Sequence, residues 1–199
     1  MSVFDALKPI TSVLPEVKRP ERIPGLQQKL IWTGGVLLLF FILGQIYPIG
    51  VDPAGIVRFE RLEILLGSRT GTLITAGIGP IVLASIFLQL AFGARLINID
   101  LHTPDGKKLF QGLQKILAIA LSFGEAGIYV FSNYIPAAGA LQGSTMVPLL
   151  GSVFFTQIVL VLQLALGSII LLYLDEVVQK YGIGSGISLF IAAGVTQAI

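Results

Sequence analysis

Charge is confined to a few short stretches of this chain, and long apolar segments run between them. Leu30–Tyr47, Thr70–Ala94, Leu109–Tyr134, Met146–Leu174 and Ile183–Ile199 together carry only two charged side chains, Lys115 and Glu125. About 20 apolar residues in a helix cross a hydrocarbon core of ~30 Å. The pattern therefore predicts five spanning helices, at about 29–48, 70–97, 107–134, 146–179 and 183–199, in an all-α polytopic membrane bundle. Trp32 and Tyr47 flank the first span as interfacial aromatics do, and Pro48 and Gly50 end it. The fourth uncharged run has 29 residues, ~44 Å of helix, so it must tilt or project from the membrane.

The second segment breaks the pattern from within. Thr70–Ala94 has 25 residues and no charge, yet Gly77-Ile78-Gly79-Pro80 lies at its centre. In a soluble helix a mid-span proline costs roughly 3 kcal/mol and each glycine about 1. A membrane helix tolerates them where neighbouring helices or ordered water satisfy the freed backbone groups. A break at mid-depth points to a place where something binds or passes.

Two other segments are amphipathic rather than apolar. In 1–28, Phe4, Leu7, Ile10, Val13 and Leu14 recur among Asp5, Lys8 and Glu16. That spacing fits a helix lying on the membrane surface, while Pro9 and Pro15 equally fit a frayed tail. In Val51–Arg69, Ile56, Val57, Phe59, Leu62, Ile64 and Leu65 alternate with Arg58, Glu60, Arg61 and Glu63. This stretch is too short and too charged to span, and reads as a short amphipathic helix between the first two spans, in its plainest form an interfacial loop helix. Asp105, in the charged turn after the second span, is placed to cap the third helix. Glu125 sits inside that third span, where an ionisable group is either functional or hydrogen-bonded at a helix interface.

Composition narrows the chemistry. A mean hydropathy of +0.87, with 54% hydrophobic and 12% charged residues, lies well outside soluble globular composition. The 23 glycines fall largely within apolar runs, where close helix packing uses them. A net charge of +2 gives no argument for nucleic acid. There is no cysteine and one histidine, His102, so neither a Ser-His-Asp triad nor a histidine or thiolate metal site can be assembled. No enzyme, cofactor or metal is expected, and no GxxxxGK[ST] phosphate loop occurs. No secretory signal peptide stands out.

Orientation follows from the basic residues. With the N-terminus inside, the cytosolic side holds Lys8, Lys18, Arg19, Arg22, Lys29, Arg95, Lys107, Lys108, Lys115 and Lys180, against Arg58, Arg61 and Arg69 outside. Ten against three predicts an N-in topology, with the 51–69 segment on the outer side.

Ile78 and Val82 are four residues apart, as are Ile187 and Ile191, so each pair shares a helix face. Such pairs are ordinarily core or lipid contacts. Arranged as a ring they would form a hydrophobic constriction that excludes ions and water by dewetting.

The segments GTLITAGIGPIV (71–82), FQGLQKILAI (110–119) and, above all, GSIILLYLDEVVQKYGIGSGISLFIAAGV (167–195) resemble the SecY family, the channel subunits of the protein-conducting translocon, in its archaeal and eukaryotic branch. The resemblance runs from about Leu30 to Ile199. It implies a multi-pass protein of the plasma membrane that passes unfolded polypeptides across the bilayer or sideways into it. It matches Ile78, Val82, Ile187 and Ile191 to pore-ring positions. It also matches the segment at about 54–68, with Ile56, Val57, Phe59, Leu62, Ile64 and Leu65, to the plug that closes the pore from outside. Helices two and three correspond to one wall of the lateral gate. The implied partners are a SecE-like subunit and a third small membrane subunit, the translocating chain and its signal sequence, the surrounding lipid, and a ribosome or cytosolic motor. Because the family has ten spanning helices in two inverted halves, the chain is expected to be the first half of a longer protein. Two readings stand beside this one. A secondary-transporter half would unwind at Gly77–Pro80 to bind substrate and relay protons through Glu125. An intramembrane enzyme would have no base other than Glu125.

Overall fold

The computed structural model describes residues 15–18, 20, 24–52, 56, 68–96, 103–137 and 153–197. The apolar segments within them form five helices: α1 (Leu26–Leu43), α2 (Gly79–Gly93), α3 (Pro104–Phe131), α4 (Val153–Tyr181) and α5 (Gly186–Gln197). The only β-structure among the described residues is an isolated antiparallel bridge between Val51 and Ala137. The fold is all-α, as the apolar pattern predicts. Leu26–Leu43, Gly106–Phe131 and Val153–Tyr181 are long and apolar enough to cross a membrane, and α2 and α5 are shorter apolar helices. The amphipathic positions Phe4, Leu7, Ile10, Val13 and Leu14 and the plug positions Val57, Phe59, Leu62, Ile64 and Leu65 lie outside the described residues.

Helix α4 organises the bundle, packing against α1, α3 and α5, while α2 packs on α3. Its buried positions Leu160, Leu164, Ser168, Leu171, Asp175 and Val178 recur every three or four residues, so one stripe faces the other helices. The outward side chains of α1, such as Ile31 and Leu38, are apolar as well. A helix apolar all round is what lipid contact requires.

Two larger apolar cores result, beside a small cluster of Leu88 on α2 and Leu113 on α3. One joins Val36 and Phe40 of α1, Ile74 and Ile78 before α2, Ile81 and Ala84 of α2, Leu171 and Val178 of α4, and Phe190 and Ala193 of α5. Phe40 stacks on Phe190 there, with ring centroids 5.1 Å apart. The other core lies between α3 and the first half of α4, around Ala126, Val130, Leu160 and Leu164, and is closed by Val51 and Ile135 from the connecting loops.

Three boundaries differ from the sequence expectation. The second span was expected as a helix over 70–97, but Thr70–Ile78 runs in consecutive turns and helix begins only at Gly79. Gly77 takes the left-handed conformation, φ +56°, which ends any helix arriving from the N-terminal side. Pro80 then sits in the first turn of α2, where its missing N–H costs nothing. The first helix ends at Leu43 rather than near 48. The Ile46 carbonyl beyond it instead accepts the Leu73 amide at 2.9 Å, tying the loop to the irregular segment. The cap of α3 is Thr103, whose hydroxyl accepts the Gly106 amide at 3.1 Å, and not Asp105. Pro104 follows it in the first helical turn, so the cap falls on the residue just before the proline.

Near the C-terminus of α4 the described N-terminal residues lie across the bundle as a strap. Lys180 Nζ is 2.9 Å from Glu16 Oε1 and also donates to the Val17 carbonyl. Tyr181 donates to the Lys18 carbonyl at 2.8 Å, and Lys115 to that of Pro15 at 3.4 Å. Glu176 bridges Lys115 and Lys180, at 2.7 Å to each. The hydrogen bond from Lys180 holds the Glu16 carboxyl below the usual carboxylate range, against an opposing push from partial burial.

Candidate functional site

The site grows out of the non-helical segment before α2. From Gly71 to Ile81 every residue except Leu73 is buried. Irregular backbone at membrane depth must be enclosed by protein and its polar groups paired, and threonines do much of that pairing. Thr72 Oγ1 donates to the Arg69 carbonyl at 2.7 Å and Thr75 Oγ1 to the Thr72 carbonyl at 2.5 Å. Thr75 Oγ1 also accepts the Gly71 amide at 3.1 Å. The segment is seated against α4 at Gly167, where a Cβ would collide with the Leu73 carbonyl.

This seat fixes Ile78 as the residue entering α2. Ile78 is 1% exposed and belongs to the first core, and Val82, one turn on, packs against the same core. The first turn of α5 brings Ile187 to that core too. Ile191, a turn further along α5, is not part of it and is 37% exposed. Three of the four ring candidates thus share one apolar cluster, and the fourth lies next to it in sequence on the open side of α5. Ile56, the one described plug position, packs over Gly71 and against the second core.

The entry into α5 is held by residues that were not singled out as functional from the sequence. Asp175 of α4 is 5% exposed, and its Oδ1 accepts the Ile187 amide at 3.1 Å. Thr33 of α1 accepts the Ile183 amide at 3.1 Å. Their only sequence signal is position: an aspartate twelve residues before Ile187, across a glycine-rich hairpin.

Glu125 lies on α3 near the second core. Tyr129 donates to its Oε1 at 2.5 Å, while Oε2 is buried with no partner. The Tyr129 ring packs at 5.2 Å on Tyr134, whose hydroxyl is 3.4 Å from Thr70 Oγ1. Gln114 of α3 donates to Ser85 of α2 at 2.6 Å, a polar link of the kind that joins helices in lipid. Among the described residues no group of His, Asp and Glu could hold a metal ion.

An all-α bundle of apolar helices, with one helix beginning at a buried glycine–proline break, defines an integral membrane protein with irregular backbone enclosed at its centre. The chain belongs to the SecY family, whose model matches residues 72–199. It is 48% identical over 195 residues to the protein translocase subunit SecY of Methanococcus vannielii, covering 97% of this chain and 41% of that protein. Among solved structures it is similar to a protein-conducting channel, with TM-score 0.78, 46% identity, and 96% of this chain and 41% of the other covered. It is also similar to a SecY channel studied for how its plug domain stabilises the closed state and maintains a membrane seal, with TM-score 0.73, 46% identity, and coverage of 96% and 40%. The chain therefore spans about two fifths of the length of these relatives. Family membership overturns the reading as a secondary-transporter half with Glu125 as a proton relay.

Proposed function

We propose that this chain forms the first half of a protein-conducting channel, which passes unfolded polypeptides across the membrane or releases them sideways into it. The observation that carries this reading is the shared apolar cluster of Ile78, Val82 and Ile187 at the starts of α2 and α5, in a chain of the SecY family. Aliphatic side chains make a compliant gasket. They bind no ion, they dewet when closed together, and they part around a moving chain of any sequence. Ile191 completes this half of the ring, and a second half supplies the remainder.

The segment 54–68, which includes Ile56, is the plug, and α2 and α3 form one wall of the lateral gate. The N-terminus lies in the cytosol, on the ten-to-three distribution of basic residues, and the plasma membrane is the location that membership of the SecY family supports. No enzymatic step is assigned to the chain. The driving force comes from a partner, a ribosome or a cytosolic motor, and a SecE-like subunit with a third small subunit completes the complex. One related structure is Sec61 in a ribosome–channel complex, which supports the ribosome as such a partner.

The test is electrical. Ile78→Gly and Ile187→Gly together, in the full-length channel reconstituted in a planar bilayer, are expected to raise resting ion conductance. Conductance equal to that of the parent channel would refute the ring assignment.

A further inference from the structure

We propose that Asp175 is a positioning residue for the ring, setting where the Ile187 side chain points by holding the first turn of α5; this rests on the ring assignment above. The first amides of any helix lack intrahelical acceptors and must find partners elsewhere. At the start of α5 the Ile187 amide finds its acceptor on a different helix, Asp175 Oδ1 at 3.1 Å. The other carboxylate oxygen, Oδ2, accepts from Gln179 one turn along α4 at 2.8 Å. The carboxylate is therefore tethered to α4 through one oxygen and to α5 through the other.

The fit allows no slack. A Cβ on Gly186 would come within 2.6 Å of both Asp175 Cα and Asp175 Oδ1, so glycine is what lets the helix start come this close to α4. The preceding turn is pinned as well. Ile183 donates to Thr33 of α1, and Gly184 takes φ +79°, a conformation natural to glycine. With the turn anchored on α1 and the first helical amide anchored on Asp175, both the axial position and the rotation of α5 are set at its entry. Ile187 carries the donated amide and the ring side chain on one residue, and Ile191 follows on the same face. A slip at Asp175 therefore moves both ring positions of this helix together.

The experiment measures resting conductance per assembled channel in the full-length reconstituted complex, with the amount of assembled complex measured in parallel. Asp175→Ala removes the acceptor. Gly186→Ala forces the helix start away while leaving the carboxylate and its Gln179 bond in place. Each is expected to raise conductance about fivefold, the population change that loss of one helix-capping acceptor brings. Asp175→Asn keeps an acceptor oxygen and is expected to stay within about twofold of the parent channel. A purely structural role would lower the amount of complex without changing the conductance of what assembles. Should Asp175→Ala fail to assemble, Gly186→Ala and Asp175→Asn decide the matter. The proposal is overturned if Gly186→Ala is as tight as the parent, or if Asp175→Asn leaks like a ring mutant. Ile187→Gly serves as the reference: if it leaks while those variants do not, positioning fails and the ring stands, and if it does not leak, the ring assignment itself fails.

Discussion

The carbonyl of Leu73 lies against the Cα of Gly167, with no room for a side chain between them. Through this contact the non-helical segment before α2 rests directly on the central helix, at backbone-to-backbone distance. Ile78 follows five residues after this seat, at the entry to α2. Gly167→Ala puts a methyl group into a backbone carbonyl that cannot rotate aside. Overpacking of this kind costs about 1–3 kcal/mol, and the upper end is expected here. The thermal unfolding midpoint of the purified channel in detergent should fall clearly below that of the parent; an unchanged midpoint would show that the contact is not tight.

The strap formed by residues 15–18 is expected to depend on pH through Glu16. Its carboxyl is held below the ordinary range by the hydrogen bond from Lys180, so the pairing contributes fully above the ordinary carboxylate pKa of about 4. It is lost only as pH falls through the depressed folded-state value. The pair is largely exposed at Glu16, so it contributes no more than about 1 kcal/mol, and salt weakens it. The chain has no cysteine, so a nitroxide on Lys18→Cys reports from a single site within it. Its mobility should stay low from neutral to mildly acidic pH and rise below about pH 4. Glu16→Gln should already be more mobile at pH 7. Equal mobility in the two proteins at pH 7 would mean that Lys180 does not hold the strap through Glu16.

Glu125 and Tyr129 sit one turn apart on α3, with the phenol donating at 2.5 Å. Since Glu125 Oε2 already lacks a partner, Tyr129→Phe leaves both oxygens unpaired. A double-mutant cycle with Tyr129→Phe and Glu125→Ala should give a coupling energy of about 1–2 kcal/mol in unfolding experiments. Zero coupling would place their interaction elsewhere.

The apolar helices were legible because lipid demands long uncharged windows, and Leu26–Leu43, Gly106–Phe131 and Val153–Tyr181 satisfy that demand by composition alone. The break in the second span was legible too, since Gly77 and Pro80 are strong local signals. What could not be read was that the chain before the break is not helical at all. That outcome depends on Thr72 and Thr75 taking up backbone groups and on Gly167 offering a seat from another helix, which are tertiary facts. The cap of α3 falls on Thr103 rather than Asp105: both are good capping residue types, and Pro104 in the first helical turn selects the one before it. Asp175 carries no local signal of its role, since its partner amide lies twelve residues away across a hairpin. The ring candidates were found as pairs at helical spacing. Periodicity did not separate Ile191, which is exposed, from Ile78, which is enclosed.

The most direct test of the half-ring follows a polypeptide through it. A photoreactive residue is placed in turn at positions 78, 82, 187 and 191 of the full-length channel, with a translocating chain arrested midway. Leu38 on α1, 59% exposed and outside the apolar cluster that holds Ile78, Val82 and Ile187, serves as the control. Crosslinks to the arrested chain from all four positions, and none from position 38, are the expected result. Crosslinks from those four positions to lipid alone would contradict the proposed channel.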